Sequence, residues 1–183
     1  MDEKRVMPVW VSAVFIVLIL AAIIVNIFLM PQESEMGIEY VLLKIADCAA
    51  CLAALLYCAA GFRKESSRFF LLFGILYLIS VMMQLFPRAM ELDRTFSSIL
   101  LYASGLCAFG VMCVFTVAKN LGRKKSLILA LILFVCSVLD VFLVADYALM
   151  VKSGVPGKVI LSLLFLVMNI GKYRDKVARG RSV

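Results

Sequence analysis

The chain has 183 residues, of which 64% are hydrophobic, and its formal net charge is +7 at pH 7. Soluble domains contain roughly 45–50% apolar residues, so this composition excludes a soluble single domain and indicates that lipid accepts the excess apolar surface. Histidine is absent. Because histidine is the usual ligand of haem and of most zinc and copper sites, we expect no cofactor and no metal.

The six cysteines lie inside apolar runs rather than in loops, so we expect reduced thiols that serve packing. Cys48 and Cys51 form a C-x-x-C pair, but the pair lies two turns inside a helical run, where a redox role is not expected. The basic residues lie in short segments that flank the apolar runs. This placement predicts contacts with anionic lipid headgroups and no binding of nucleic acid.

Six apolar runs follow one another along the chain, and about 20 residues suffice for each crossing of a bilayer. Pro87 is expected to end the third run, and Gly154, Pro156 and Gly157 mark a turn near the start of the last. The sequence therefore predicts a single all-α transmembrane domain over residues 1–183, folded as a compact six-helix bundle. The expected spans are residues 8–30, 40–62, 69–86, 96–118, 127–149 and 156–171.

The distribution of basic residues predicts the orientation of the bundle. With six spans and a cytoplasmic N-terminus, fourteen Lys and Arg residues fall on the cytoplasmic side and five on the outer side, in keeping with the positive-inside rule. Among the five, Lys158 is expected to snorkel to the surface and so lengthen the short last helix. We expect a multi-pass protein of the cell membrane with both termini in the cytoplasm. The outer residues are Lys44, Arg88, Arg94, Lys152 and Lys158.

Two carboxylates lie deep inside the expected spans. Asp47 and Asp140 are placed about eight and nine residues from the outer ends of the second and fifth helices, or roughly 12 and 13 Å. Ionisable groups at such depth are costly and predict a functional site. Asp146 points about 120° away from Asp140 around the same helix. It lies nearer the surface, and we expect it at the level of the lipid headgroups.

Other polar residues are expected in the same outer half of the bundle. Lys44 lies one helical turn from Asp47, and Tyr147 shares a helix face with Asp140. The pattern predicts an outward-facing pocket that binds or transports a small polar or cationic solute. The structural alternative is a clamp between helices, in which Lys44 or Tyr102 satisfies the carboxylates without any ligand. The candidate substrate-binding residues are Asp140, Asp47, Lys44, Tyr147, Tyr102, Gln84 and Asn26.

Small residues recur at helical spacing in two of the runs. Alanines surround Cys51 in the second, and Ala103, Cys107 and Gly110 follow one another in the fourth. Because small side chains allow helices to approach closely in membranes, we expect the second and fourth helices to be neighbours.

Two resemblances bear on function. In size and topology the chain resembles the substrate-binding S subunits of energy-coupling-factor vitamin transporters, which implies solute binding. Residues 138–150, where Asp146 is followed by Tyr-Ala-Leu-Met, are similar to the second aspartate motif of lysoplasmalogenase-like membrane hydrolases. That resemblance implies an intramembrane hydrolase of lipid-like substrates, with Asp140 and Asp146 as acid and base, although the third helix lacks an acid to complete the pair. A further alternative is a non-catalytic subunit that docks a membrane protein partner or forms a homo-oligomer. Enzymatic activity is therefore left open.

Overall fold

The computed structural model describes residues 9–28, 38–59, 66–90, 95–118, 121–144 and 154–180. These residues are almost entirely helical, and the six helices pack into one bundle, which confirms the all-α prediction. The helices are α1 (Val9–Phe28), α2 (Ile38–Ala59), α3 (Ser66–Met90), α4 (Phe96–Val117), α5 (Arg123–Leu143) and α6 (Val155–Gly180).

The helices form a closed ring in chain order. Each helix packs on the next, α1 packs against α6, and α2 also contacts α6 across the ring. Short connections favour this arrangement, because consecutive elements joined by few residues are usually neighbours in space. The ring brings α2, α3 and α6 together on one side and α3, α4 and α5 on the other. Helix α3 is common to both groups.

Four helices of the described chain are long and apolar enough to cross a membrane, as expected of a multi-pass membrane protein. Their apolar segments have mean hydropathies from 2.0 to 2.7. Large apolar side chains such as Leu52 and Phe142 are exposed on the outside of the bundle, where lipid can cover them. The four segments are Tyr40–Ala59, Phe70–Ala89, Phe96–Val117 and Lys124–Leu143, and the shorter apolar stretches Val9–Val25 and Val155–Ile170 lie in α1 and α6.

Helix α2 is the most enclosed of the four. Its apolar segment is 56% buried, whereas those of α4 and α5 are each 28% buried. Ala50, Ala53 and Ala54 lie in the core, and their small side chains let neighbouring helices approach the α2 backbone. The expected pairing of α2 with α4 is wrong, because α4 packs on α3 and α5. The three small residues expected to face α2, Ala103, Cys107 and Gly110, are exposed instead.

Aromatic rings fill the bundle between α3, α4 and α6. Phe73 stacks on Tyr77 with ring centroids 5.8 Å apart, and Phe165 meets Phe115 edge to face at 4.7 Å. Phe165 also stacks on Phe70 at 5.4 Å. We call these five side chains the aromatic core. Such offset and edge-to-face pairs add to the gain from burial alone.

Two helix ends differ from expectation, and both differences matter for the polar residues. Helix α3 continues through Pro87 to Met90, so Pro87 does not end it. Proline removes only the hydrogen bond to the carbonyl four residues before it, and α3 completes the following turn, which carries Arg88. Helix α5 ends earlier than expected, at Leu143, because Val144 takes an extended conformation with ψ of 99°. Asp140 therefore lies in the last turn of α5, and residues 145–153 lie outside the described residues.

Candidate functional site

Helix α3 carries a polar stripe along its inner face. Tyr77, Ser80, Gln84 and Arg88 follow one another at spacings of three and four residues, which places them on one side of the helix. All four are buried, with Arg88 only 7% exposed. Because α3 is shared by both sides of the ring, this stripe can reach partners on α2 and α6 and also on α4 and α5.

The first ion pair joins Arg88 on α3 to Asp140 on α5. Arg88 Nη2 lies 2.5 Å from Asp140 Oδ2, and Nη1 lies 3.5 Å from Oδ1. Nη1 also donates to the Leu101 carbonyl of α4 at 3.0 Å, and the Ser104 hydroxyl donates to Asp140 Oδ1 at 2.5 Å. Two-pronged pairing of arginine with a carboxylate is among the strongest polar contacts in proteins. This pair ties three helices together.

Gly105 makes room for that arrangement. A Cβ atom on Gly105 would lie 2.8 Å from Arg88 Nη1 and 2.9 Å from Leu85 Cδ2. Real Cβ atoms essentially never approach other atoms so closely, so a larger residue would push the guanidinium away from Asp140. The glycine is therefore a local requirement of the first ion pair.

The second ion pair joins Asp47 on α2 to Lys158 on α6. Lys158 Nζ lies 3.3 Å from Asp47 Oδ1, and the Ser80 hydroxyl donates to the same oxygen. Both side chains are buried, with Asp47 2% and Lys158 3% exposed. This pair closes the α2, α3 and α6 side of the ring. It has fewer polar contacts than the Arg88 pair.

Asp47 lies against the beginning of α6. Gly154, which immediately precedes this helix, has a φ of +71°, and a Cβ atom there would lie only 1.8 Å from Asp47 Oδ2. Val155, the first residue of the helix, is 1% exposed, so α6 begins inside the bundle rather than at its surface. The N-terminal end of a helix carries a partial positive charge, which favours a carboxylate beside it.

The two ion pairs belong to one electrostatic unit. Lys158 interacts with Arg88 and Asp140 as well as with Asp47. The Tyr77 hydroxyl lies between the two pairs, where it donates to the Lys158 carbonyl at 3.3 Å and experiences the charge of both aspartates. Lys44, which is 4% exposed, also interacts with Asp47. We call the five charged residues Lys44, Asp47, Arg88, Asp140 and Lys158 the charge cluster.

Three buried atoms of the charge cluster have no hydrogen-bond partner among the residues described. They are Asp47 Oδ2, Lys158 Nζ and Arg88 Nε. A buried polar atom without a partner loses its hydration and gains no hydrogen bond within the protein. This costs about 1–3 kcal/mol, and more for charged groups. Two of the three atoms belong to the Asp47 pair, so this pair is the less satisfied of the two.

The candidate residues divide into three groups when they are located in the structure. Asp47, Asp140, Lys44 and Gln84 are all buried inside the bundle. Tyr102 is half-buried on α4 and is not among the described side chains that contact either carboxylate. Tyr147 and Asp146 lie outside the described residues, as does the side chain of Asn26.

The main omission of the sequence analysis is the basic partner of each aspartate. The clamp alternative named Lys44 or Tyr102, but Arg88 and Lys158 form the ion pairs. Lys158 does not snorkel, because its side chain points to Asp47 inside the bundle. Arg88, expected in a connector after Pro87, lies in the last turn of α3. The signal was present in the sequence, since two buried carboxylates require counterions and both bases lie close to the ends of apolar runs.

The described residues do not bring three His, Cys, Asp or Glu side chains together as a metal site. All six cysteines carry free thiols, and Cys107 of α4 lies near Cys136 of α5. The chemistry that the site offers is therefore that of paired charges and hydroxyl groups. Comparisons with family models, with curated proteins and with solved structures found no match to this chain.

Proposed function

We propose that the protein binds and transports a small polar solute at the charge cluster, within a six-span bundle of the cell membrane. The observation that carries this proposal is two neighbouring buried ion pairs, three atoms of which have no hydrogen-bond partner among the described residues. A buried ion pair is weak evidence for stability, because its desolvation often offsets its attraction. Ionisable groups at membrane depth are more often retained for a solute or ion pathway.

The burial of basic residues supports the proposed orientation. Lys44, Arg88 and Lys158, three of the five basic residues assigned to the outer side, point into the bundle. Only Arg94 and Lys152 then remain for the outer headgroups, against fourteen basic residues on the cytoplasmic side. The difference in basic residues between the two sides is therefore larger than the sequence count of fourteen against five. It favours cytoplasmic termini and contact of the inner loops with anionic lipids. In this orientation the charge cluster lies in the outer half of the bundle.

Solute entry requires the Asp47 side of the ring to open. The charged side chains of the cluster are at most 7% exposed, so the described conformation is closed. The Asp47–Lys158 contact is 3.3 Å long, whereas Arg88 approaches Asp140 to 2.5 Å and also binds α4. We therefore assign opening to movement of α6 relative to α2 and α3. The Arg88 pair holds α3, α4 and α5 together meanwhile.

The hydrolase alternative receives no support from the described site. It needs Asp140 as a general acid or base, but this carboxylate accepts hydrogen bonds from Arg88 and Ser104. Asp146, its expected partner, lies outside the described residues. The alternative of a non-catalytic partner subunit stays a prediction.

The proposal is tested by solute-dependent thermal stability of the full chain in mild detergent. The panel contains small anions, cations and neutral polar solutes at matched ionic strength. At least one class should raise the melting temperature saturably, because a ligand that binds only the folded state stabilises it by mass action. Tyr77→Phe, which removes one hydroxyl at the centre of the cluster, should change the apparent affinity.

The matched control is Ser97→Ala, which removes an exposed hydroxyl from the first turn of α4 and should leave the affinity unchanged. A panel in which no solute class stabilises the protein would contradict solute binding. An identical response in Tyr77→Phe and the unmodified protein would move binding away from the charge cluster.

A further inference from the structure

A groove with an empty volume of about 290 Å³ lies between α3 and α4, over α6. Two of its lining residues, Met112 of α4 and Phe165 of α6, are fully buried. Two others, Leu71 and Ile75 of α3, are 57% and 38% exposed. The groove therefore runs from the core of the bundle to the outer surface that lipid covers.

Gly74 of α3 leaves the groove open. A Cβ atom on Gly74 would meet no atom within 4 Å among the described residues. Glycine weakens a helix, and in membrane helices it usually lets a neighbouring helix approach closely. Gly105 of α4 does so, because a Cβ atom there would lie 2.8 Å from Arg88 Nη1. Helices α3 and α4 are thus in close contact near Arg88 and leave space between them at Gly74.

The lining of the groove is apolar. Thr116 of α4 is its one polar residue among those described, and the Thr116 hydroxyl donates to the Met112 carbonyl of its own helix at 2.8 Å. A polar solute would lose its hydration in this groove and find no free donor there. A hydrocarbon chain loses nothing of that kind, and the bilayer supplies such chains on the side where the groove opens.

The groove reaches the basic end of the bundle. Phe70 near the beginning of α3 and Thr116 in the last turn of α4 both line it. Helix α6 runs antiparallel to α3, because Tyr77 contacts Lys158 whereas Phe70 contacts the later Phe165. The beginning of α3 and the ends of α4 and α6 therefore lie together.

The sequence segments at these three helix ends have a large excess of positive charge. Over residues 63–68, 119–125 and 172–181 the full sequence has twelve basic and two acidic residues. Among the twelve, Lys124 and Lys125 have described side chains, and both are exposed in the first turn of α5. The acidic residues are Glu65 and Asp175, and the basic residues are Arg63, Lys64, Arg68, Lys119, Arg123, Lys124, Lys125, Lys172, Arg174, Lys176, Arg179 and Arg181.

We propose that the groove binds one acyl chain of an anionic phospholipid, whose phosphate lies among the basic residues at the same end of the bundle. The apolar groove selects a lipid chain, and the basic segments select an anionic headgroup. This inference rests on the proposed contact of the inner loops with anionic lipids and adds a defined site to it. It does not depend on solute binding at the charge cluster.

The test is a titration of the full chain with three probes, in which native mass spectrometry counts the molecules bound. The probes are phosphatidylglycerol, phosphatidylcholine with the same acyl chains, and glycerol 3-phosphate, which has the charge without an acyl chain. Phosphatidylglycerol should bind about tenfold more tightly than phosphatidylcholine, and glycerol 3-phosphate should not bind. Joint replacement by Lys124→Gln and Lys125→Gln should weaken phosphatidylglycerol binding about fivefold or more and leave phosphatidylcholine binding unchanged.

Gly74→Leu tests the groove itself. The added side chain has room at its Cβ atom and would fill the groove, so phosphatidylglycerol should bind about tenfold more weakly. Gly110→Leu is the matched control and should leave the affinity unchanged, because Gly110 also has open space around it but lies on an exposed part of α4 away from the groove. Thr116→Leu fills the groove from α4 and should weaken binding in the same way, whether or not Gly74→Leu folds well.

Equal binding of phosphatidylglycerol by the unmodified protein, Gly74→Leu and Thr116→Leu would overturn the groove as the site and leave the loop contact with anionic lipids in place. Equal binding of phosphatidylglycerol and phosphatidylcholine by the unmodified protein would overturn the loop contact as well. Glycerol 3-phosphate that binds as tightly as phosphatidylglycerol would overturn the acyl-chain assignment. The thermal panel of anions, cations and neutral solutes tests the charge cluster separately.

Discussion

The two buried ion pairs are built from similar groups but differ in how many hydrogen bonds their charged atoms make. Arg88 contacts Asp140 through two nitrogens and donates to the Leu101 carbonyl. The Ser104 hydroxyl donates a further hydrogen bond to Asp140. The pair of Asp47 and Lys158 has one contact of 3.3 Å and a hydrogen bond from Ser80, and two of its atoms have no hydrogen-bond partner among the described residues. A charge whose contacts are complete holds helices together. Both pairs are buried, so the number of hydrogen bonds rather than burial distinguishes them.

The largest expected effect is the loss of Arg88. Arg88→Met should lower the free energy of unfolding by about 3–5 kcal/mol, because it leaves the Asp140 carboxylate buried without its counterion. Lys158→Met should cost less, about 1–3 kcal/mol, because Asp47 keeps the hydrogen bond from Ser80 and the attraction of Lys44 when the ammonium group is removed. Unfolding of the full chain in mixed detergent micelles measures both.

Lys124→Met controls for loss of a basic side chain and should change stability by less than about 0.5 kcal/mol, because Lys124 is exposed. If Arg88→Met cannot be purified, the double variant Arg88→Met with Asp140→Asn should recover part of the loss by removing both charges. A cost of Lys158→Met equal to or above that of Arg88→Met would remove the distinction between the pairs.

Gly154→Ala should have the next largest effect. The added Cβ would meet Asp47 Oδ2 at 1.8 Å, and the φ of +71° disfavours a side chain. We expect a loss of about 1–3 kcal/mol in the free energy of unfolding. Gly110→Ala is the matched control within α4, because open space surrounds Gly110, and alanine should raise helix stability by about 0.5–1 kcal/mol. Equal effects of the two substitutions would contradict the close approach of Gly154 to Asp47.

Two serine variants compare the carboxylates directly. Ser80→Ala leaves Asp47 with the single 3.3 Å contact to Lys158, whereas Ser104→Ala leaves Asp140 with both nitrogens of Arg88. We expect Ser80→Ala to cost about 2–3 kcal/mol and Ser104→Ala about 1 kcal/mol, by chemical denaturation of the purified variants. The reverse order would indicate that Asp47 has other partners and that its pair is not the weaker of the two.

The smallest expected effect is that of a cross-link between α4 and α5, on the side of the ring that is proposed to stay closed. Oxidation should join Cys107 of α4 to the neighbouring Cys136 of α5, and counting alkylated thiols by mass detects the bond. The cross-link should leave the solute response unchanged, because the proposed opening moves α6 and leaves α4 packed on α5. Cys107→Ala supplies the unlinked control. Loss of the solute response on cross-linking would place the opening between α4 and α5 instead.

The sequence predicts the helices better than it predicts the site. Apolar runs of sufficient length identify all six helices, and the cost of intramembrane charge identifies Asp47 and Asp140. Their partners were missed because hydropathy assigns a basic residue at the edge of an apolar run to the headgroup region. Lys158 is placed inside because α6 begins at a buried turn, a feature that depends on tertiary packing. Arg88 is placed inside because α3 continues through Pro87.

The sequence pattern also did not predict which helices are neighbours. Small residues on α2 correctly indicate a crowded helix, with Ala50 and Ala54 fully buried. Ala103 and Gly110 on α4 have the same spacing, yet they point away from the bundle. Spacing shows which residues share a face, but it contains no information on which neighbour that face meets. The ring order of the helices decides that question.

In the proposed function, the aromatic core lies between the step that binds a solute and the step that releases it. Phe165 of α6 lies between Phe70 of α3 and Phe115 of α4, with centroid distances of 5.4 and 4.7 Å. If only the beginning of α6 moves away from Asp47, these rings stay in contact and block the path beyond the charge cluster. The protein in that state is a receptor open to one side. Release to the other side requires a second event that parts Phe165 from its neighbours, so uptake and binding are separable by substitution at this one ring.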